Sequence, residues 1–293
     1  MLNLFHLTVL SFISSLKEET LPVAEFVNKS VKWITEKFSW FFDPIKNDFG
    51  DKLEDFADML AEIPPSIVIV LVVLIAFFIT GKKFGLATFS LVGLLFIYNQ
   101  QLWEELMLTF TLVLVASLIS VIVGIPVGIL MSKSNLAENI IKPILDFMQT
   151  MPAFVYLIPA VAFFGIGMVP GVFASFIFAT PPVVRFTNLG IRQVSKELVE
   201  ASDAFGTTGS QKLFKVELPM AKTTIMAGVN QTVMLSLSMV VIASMIGAPG
   251  LGREVLSALQ RANAGTGFVA GLGIVILAII IDRITQNLNK ESA

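Results

Sequence analysis

Hydropathy along the chain is segmented. Residues 63–81, 84–103, 147–184, 223–252 and 262–281 carry no charged side chain, and residues 106–136 carry only Lys133. About 20 apolar residues cover the hydrocarbon thickness of a bilayer, so each run has room for a crossing helix. The run 147–184 has room for two, and Gly165-Ile-Gly-Met-Val-Pro-Gly171 near its middle is a turn signal that divides it. The pattern predicts an all-α polytopic membrane protein with about seven transmembrane helices.

Ahead of the first run the pattern changes. Val23, Phe26, Val27, Val31, Ile34, Phe38, Phe41 and Ile45 recur at three- and four-residue spacing, with Glu25, Lys29, Lys32 and Glu36 on the other face and Trp33 and Trp40 at the margins. This predicts an amphipathic helix broken at Asp43-Pro44. A second stripe follows, Phe49, Leu53, Phe56, Leu60 and Ile63, ending at Pro64-Pro65. Such stripes fit a membrane surface and packing against neighbouring spans equally well. Residues 1–16 are apolar but lack the basic start and small-residue cleavage site of a removable signal peptide.

Composition sharpens the picture. Hydrophobic residues make up 55% of the 293 and charged residues only 14%, against roughly 25% charged in an ordinary soluble domain. A soluble enzyme is thereby disfavoured. With no Cys and His6 as the single His, there is no thiolate nucleophile, no Cys/His zinc set and no Ser-His-Asp triad from core residues. No metal site is expected. Net charge is -2 without a basic block, which argues against a nucleic-acid partner.

The distribution of Lys and Arg sets the orientation. Lys82, Lys83, Lys133, Lys142, Arg185, Arg192, Lys196, Lys212, Lys215, Lys222, Arg283 and Lys290 fall on one side, and only Arg253 and Arg261 in the opposite short connections. The first side is expected to be cytoplasmic. Residues 1–63 then form an extracytoplasmic tail, 64–103 two N-terminal transmembrane helices, 104–287 a five-helix core with a long connection at 188–222, and 288–293 a cytoplasmic C-terminal tail.

Within the spans, Gly124-Ile-Pro-Val-Gly128 and Gly267-Phe-Val-Ala-Gly271 are small-xxx-small patterns, read first as close helix packing. Pro126, Pro152, Pro159, Pro170 and Pro181-Pro182 predict kinks or interruptions. No ionisable group sits mid-run, since Asp146, Arg185 and Asp282 lie at run ends, so an ion-coupled relay is not expected. Nor does the chain supply a phosphate-binding loop: Gly206-Thr-Thr-Gly-Ser-Gln-Lys-Leu213 has Gln211 and Leu213 where such a loop needs other residues. Energy for uphill transport would come from elsewhere.

The connection 188–222 has helical character. Ser195 is a cap before Lys196-Glu-Leu-Val-Glu200 and Ser210 a cap before Gln211-Lys-Leu-Phe-Lys-Val216, predicting two short helices joined at Gly206, with Pro219 starting the next span. Glu200-Ala201-Ser202, then Gly206, then nine residues to Val216-Glu217-Leu218-Pro219, resembles the EAA loop of inner-membrane permease subunits of binding-protein-dependent ABC importers. Ser202 replaces the third Ala and Val216 an Ile. The runs Asp146-Phe-Met-Gln-Thr-Met-Pro-Ala-Phe-Val-Tyr-Leu157 and Ser238-Met-Val-Val-Ile-Ala-Ser-Met-Ile-Gly-Ala-Pro-Gly-Leu-Gly252 resemble the branch that carries glycine betaine, proline betaine and related quaternary amines.

The resemblance implies a type I ABC importer permease core in a bacterial inner membrane, serving osmoprotection. It also implies a homodimer of this chain, two ABC ATPase subunits and an extracytoplasmic substrate-binding protein. By resemblance Glu200, Ala201, Ser202, Ala204, Gly206, Leu218 and Pro219 form the ATPase-coupling interface. No cofactor is expected in this chain, ATP and Mg belonging to the ATPase. Trp33, Trp40 and Trp103 lie outside or at a membrane edge, so no aromatic cage for a quaternary ammonium is visible in the spans. The high-affinity site is expected on the separate binding protein, as the chain ends soon after its last span without a fused receptor domain. Met151, Pro152, Phe154, Tyr156, Asn230 and Ser238 are candidates for contacting solute in transit, against the plainer reading that they pack between helices. Two other functions stay open: an ATP-independent channel or carrier gated by osmotic conditions, and a membrane scaffold.

Overall fold

The computed structural model describes residues 22–290, in which every regular element is helical. The apolar segment 1–16 lies outside the described residues. Residues up to Asp43 and residues from Pro44 onward form two compact units.

In the first unit α1 (Val23–Lys37) buries no residue, leaving Val23, Phe26 and Trp33 exposed, with the Lys37 ammonium 5.3 Å from the Trp33 ring centroid. The helix stops at Phe38, whose N–H bonds the Ile34 carbonyl. The break expected at Asp43-Pro44 is absent: Pro44 lies inside α2 (Ser39–Lys46). Proline removes one intrahelical bond and crowds the carbonyl four residues back. In a helix of eight residues that already ends at Lys46, one missing bond is tolerated.

The second unit holds α3 (Asp48–Glu62), α4 (Pro65–Ile79), α5 (Phe84–Asn99), α6 (Trp103–Lys133), α7 (Asn135–Thr150), α8 (Leu157–Phe164), α9 (Met168–Arg192), α10 (Lys196–Ala204), α11 (Gly209–Lys212), α12 (Leu218–Ala243), α13 (Leu251–Gln260) and α14 (Ala264–Lys290). The second amphipathic stripe of the tail, α3, buries Leu53 and Ala57 and packs on α6 and α9. Packing against the spans therefore accounts for this stripe.

The core is the contact of α6, α9 and α12. Small residues let α6 and α9 approach: a methyl group at Gly124 would stand 2.3 Å from the Val183 side chain, and one at Gly128 would stand 2.7 Å from the Val184 carbonyl oxygen. The pattern at 124–128 is thus packing. Gly271, in the second such pattern, has no neighbour within 4 Å of that position. Ser120 adds a polar tie, its hydroxyl donating to the Phe176 carbonyl at 3.2 Å.

Among the described residues, four helical stretches are long and apolar enough to cross a membrane: α6, α9, Gly209–Ile246 and Ala264–Asn287. Two more candidates are bent, Ser39–Glu62 against α4 by 90° and α7 against Ala153–Phe164 by 110°, and α5 is a shorter apolar helix. Each predicted run contains a helix, and the run 147–184 divides as expected at residues 165–167, but its first half is itself bent. Its chain leaves the helix at Met151 (φ -71, ψ 135) because Pro152 disfavours helical geometry in the residue before it.

Candidate functional site

The connection after α9 is shorter than the apolar pattern suggested. Helix α9 runs on through Asn188 to Arg192, and α11, a π turn over Leu213–Glu217 and α12 form one continuous helical stretch from Gly209. Hydropathy marks where apolar side chains stop, whereas backbone hydrogen bonding continues into polar sequence. Between these rods stands α10.

Ser195 caps α10 as expected, its hydroxyl accepting from the Leu198 N–H at 3.4 Å. At the other end Gly206 adopts φ +75, the Gly206 N–H bonds the Asp203 carbonyl and the Thr207 N–H bonds the Ser202 carbonyl. This pair of bonds is the Schellman ending, which needs a left-handed residue and so selects glycine. The next helix is capped by Thr208, not Ser210: Thr208 and Gln211 exchange side-chain-to-backbone bonds in a capping box. A threonine three residues before a glutamine satisfies two N–H groups at once, which Ser210 cannot do. Lys212 then ties α11 to α10 through both Asp203 carboxylate oxygens, at 2.8 and 2.9 Å. Gln211 and Lys212 are therefore engaged in local structure, and the segment is a helix cap rather than a phosphate cradle.

Of the coupling candidates, Glu200, Ala201, Ala204 and Gly206 are exposed on or just after α10, and Ser202 is buried with its hydroxyl on the Val199 carbonyl. Leu218 packs on Ile191, Ala221 and Ile225, and Pro219 is the exposed second residue of α12. Pro219 also explains the π turn. Without an N–H, and with its ring against the carbonyl four residues back, it displaces the ladder, so that the Leu218 N–H reaches the Leu213 carbonyl five residues away. Beside the coupling residues, Phe205 is 89% exposed and Phe214 66%, the kind of large apolar exposure that marks a contact surface. Its sequence signal was a Phe abutting Gly206 in a polar stretch.

Ion pairs gather where α6, α7 and α9 meet beneath this segment. The Arg192 guanidinium reaches Glu138 at 2.9 Å, the Met131 carbonyl at 2.9 Å, and the Asn135 and Asn188 side-chain oxygens at 3.0 Å. Asn188 in turn donates to Glu138 at 3.2 Å. Lys133 pairs with the buried Glu217 of the π turn, and Arg185 with Asp146 at 2.5 Å. Sequence reasoning missed these partnerships, which, apart from Arg192 with Asn188 one helical turn away, join residues 39 to 84 positions apart.

The candidates for contacting solute divide into two places. Met151, Pro152, Phe154 and Tyr156 meet at the α7–α8 bend: Phe154 is exposed, while Tyr156 is buried against Phe178, its hydroxyl on the Met148 carbonyl. Asn230 and Ser238 lie on α12. Asn230 donates to Asp282 of α14 at 2.8 Å, tying two helices, and the exposed Ser238 hydroxyl returns to the Met234 carbonyl at 3.0 Å.

Residues 120–292 match the binding-protein-dependent transport system inner membrane component family. The chain is 59% identical over 275 residues to the glycine betaine/carnitine transport permease protein GbuB of Listeria monocytogenes, covering 93% of this chain and 97% of that protein. It is 49% identical over 271 residues to the glycine betaine transport system permease protein OpuAB of Bacillus subtilis, covering 92% and 95%. With the glycine betaine/proline betaine transport system permease protein ProW of Escherichia coli it shares 47% identity over 272 residues, covering 93% and 76%. In fold it is similar to the MetNI methionine ABC transporter in its inward-facing native crystal form, with TM-score 0.60 and 21% identity over 66% of this chain and 96% of that one. The apolar helices, the EAA-type segment and these likenesses agree: the chain belongs to the family of binding-protein-dependent transport system inner membrane components, multi-pass membrane subunits of ABC importers that transport rather than catalyse.

Proposed function

We propose that this chain forms the translocation path for glycine betaine and related quaternary amines in an ATP-driven importer, with osmoprotection as its role. The observation that carries the substrate class is near-full-length identity to GbuB, OpuAB and ProW, whose names specify glycine betaine. Two copies of the chain enclose the path, and each offers α10 to one ATPase subunit. ATP and Mg belong to that subunit. Support comes from the exposure of Glu200, Ala201, Ala204 and Phe205 on a short helix anchored to two long rods.

The excess of Lys and Arg on the α10 side favours that side as cytoplasmic, with the N-terminus outside and the C-terminus inside. A substrate-binding protein delivers solute from the opposite face. The bend at Met151-Pro152 and the neutral side chains of Phe154, Asn230 and Ser238 suit passage of a compact solute bearing a quaternary ammonium that is not held tightly. The test is Glu200→Lys in the reconstituted complex: the chain stays in the membrane, while ATP hydrolysis no longer drives uptake. Normal ATP-driven uptake by Glu200→Lys and by Gly206→Trp would overturn the assignment of α10.

A further inference from the structure

Glu217 is a carboxylate in an unusual place. It sits on the π turn immediately before Leu218-Pro219, its side chain is 7% exposed, and it pairs with Lys133, the last residue of α6, whose side chain is 39% exposed. Burying a carboxylate is costly unless a charge and hydrogen bonds offset it. Packing alone would have been served by an apolar residue, as it is in the cluster that Leu213 and Leu218 of the same helical stretch join. The pair also joins two elements 84 residues apart in sequence.

What Lys133 is attached to gives the pair its mechanical meaning. One residue on, Ser134 caps α7, its hydroxyl accepting from the Ala137 N–H at 3.3 Å. The same corner is gripped by Arg192, through Met131, Asn135 and Glu138. The α6–α7 corner is thus held from one side by the end of α9 and from the other by the π turn that begins α12. Two of these grips, Arg192 and Glu217, lie at the two ends of the connection that carries α10. A π turn is also a point at which the helix can change register locally, so displacement of α10 and α11 need not be carried up α12 alone.

We propose that Lys133 and Glu217 are positioning residues that couple the cytoplasmic segment to the α6–α7 corner, and through it to the α7–α8 bend. The inference rests on the reading of α10 as the ATPase contact. When the segment is displaced, the ion pair moves the corner with it, so α6 and α7 follow as one body. Loss of the pair leaves the ATPase contact in place and lets the corner lag behind.

The experiment uses the full complex of this chain, ATPase and binding protein in proteoliposomes, measuring uptake of glycine betaine per ATP hydrolysed. For Glu217→Gln, which keeps shape and one acceptor oxygen but removes the charge, the ATPase still co-purifies and hydrolyses ATP, while uptake per ATP falls about ten-fold, the scale of coupling between sites. The exchange Lys133→Glu with Glu217→Lys recovers most of it. Because the chain contains no Cys, Lys133→Cys with Glu217→Cys permits a second, reversible measurement in assembled protein. A bis-methanethiosulfonate crosslinker, which forms a disulfide with each Cys and releases methanesulfinate, restores coupling, and reduction of those disulfides in the same vesicles removes it. The proposal is overturned if uptake per ATP is unchanged in Glu217→Gln, as it is when uptake and hydrolysis fall in proportion, or if uptake per ATP falls and neither the exchange nor the crosslink restores it. Failure of the ATPase to co-purify with the unmodified chain would instead overturn the reading of α10.

Discussion

The Tyr156 hydroxyl donates to the Met148 carbonyl. That carbonyl is the acceptor which the residue at position 152 would satisfy in a continuous helix, and Pro152 has no N–H to give. Backbone groups at membrane depth must find partners within the protein. The tyrosine therefore closes a gap that proline opens, and holds α7 and α8 at their 110° bend.

Tyr156→Phe keeps the ring on Phe178 and removes only the donor. Its expected cost is about 1–3 kcal/mol, the penalty for an orphaned buried acceptor, read as a lower thermal midpoint of the purified complex. Adding Pro152→Ala restores an N–H for Met148. The double variant recovers the midpoint but straightens the chain, and solute uptake stays low. Recovery of uptake together with stability would show that the bend is not needed.

At Gly206 the requirement is conformational, since no atom lies within 4 Å of where a side chain would begin. A residue with a Cβ held in the left-handed region costs about 1–2 kcal/mol, and Asn bears this better than Ala or Val. ATPase association measured across Gly206→Asn, Gly206→Ala and Gly206→Val should decline in that order. Equal loss in all three would point to a contact with the ATPase surface in place of backbone geometry.

Arg192 uses the fork of its guanidinium, touching Glu138, Asn135, Asn188 and the Met131 carbonyl. Lysine keeps the charge but cannot reproduce that geometry. Arg192→Lys should destabilise the α6–α7–α9 corner by about 1.5–3 kcal/mol, the range for hydrogen bonds to charged groups. Thermal unfolding measures it, with Arg192→Met falling further.

The approach of α6 to α9 predicts an ordered pair of effects. Gly128→Ala meets a backbone oxygen at 2.7 Å, whereas Gly124→Ala meets a valine methyl at 2.3 Å that its side chain can shift only in part. Overpacking of this kind costs about 1–3 kcal/mol, and Gly128→Ala should be the worse of the two in membrane yield and thermal midpoint.

These residues show how far sequence carried the account. Runs free of charge located the apolar helices because bilayer thickness constrains length and polarity together. The EAA-type spacing and Ser195 were legible because caps and glycine turns are local. Pro44 inside α2 and the cap at Thr208 were misread where two local signals competed within a few residues. The bend at Pro152 was foreseen only as a generic interruption, since its angle depends on Tyr156 folding back to Met148 and resting on Phe178. Glu217 was read only as part of the run 216–219, and its burial goes with a pairing to Lys133, far away in sequence.

The most direct measurement is uptake of radiolabelled glycine betaine by vesicles containing this chain with its ATPase and binding protein, with and without internal ATP. Accumulation that requires all three components and ATP is the predicted result. Glycine betaine flux through the chain alone, or no ATP-dependent uptake of glycine betaine, proline betaine, carnitine or choline by the assembled complex, would contradict it.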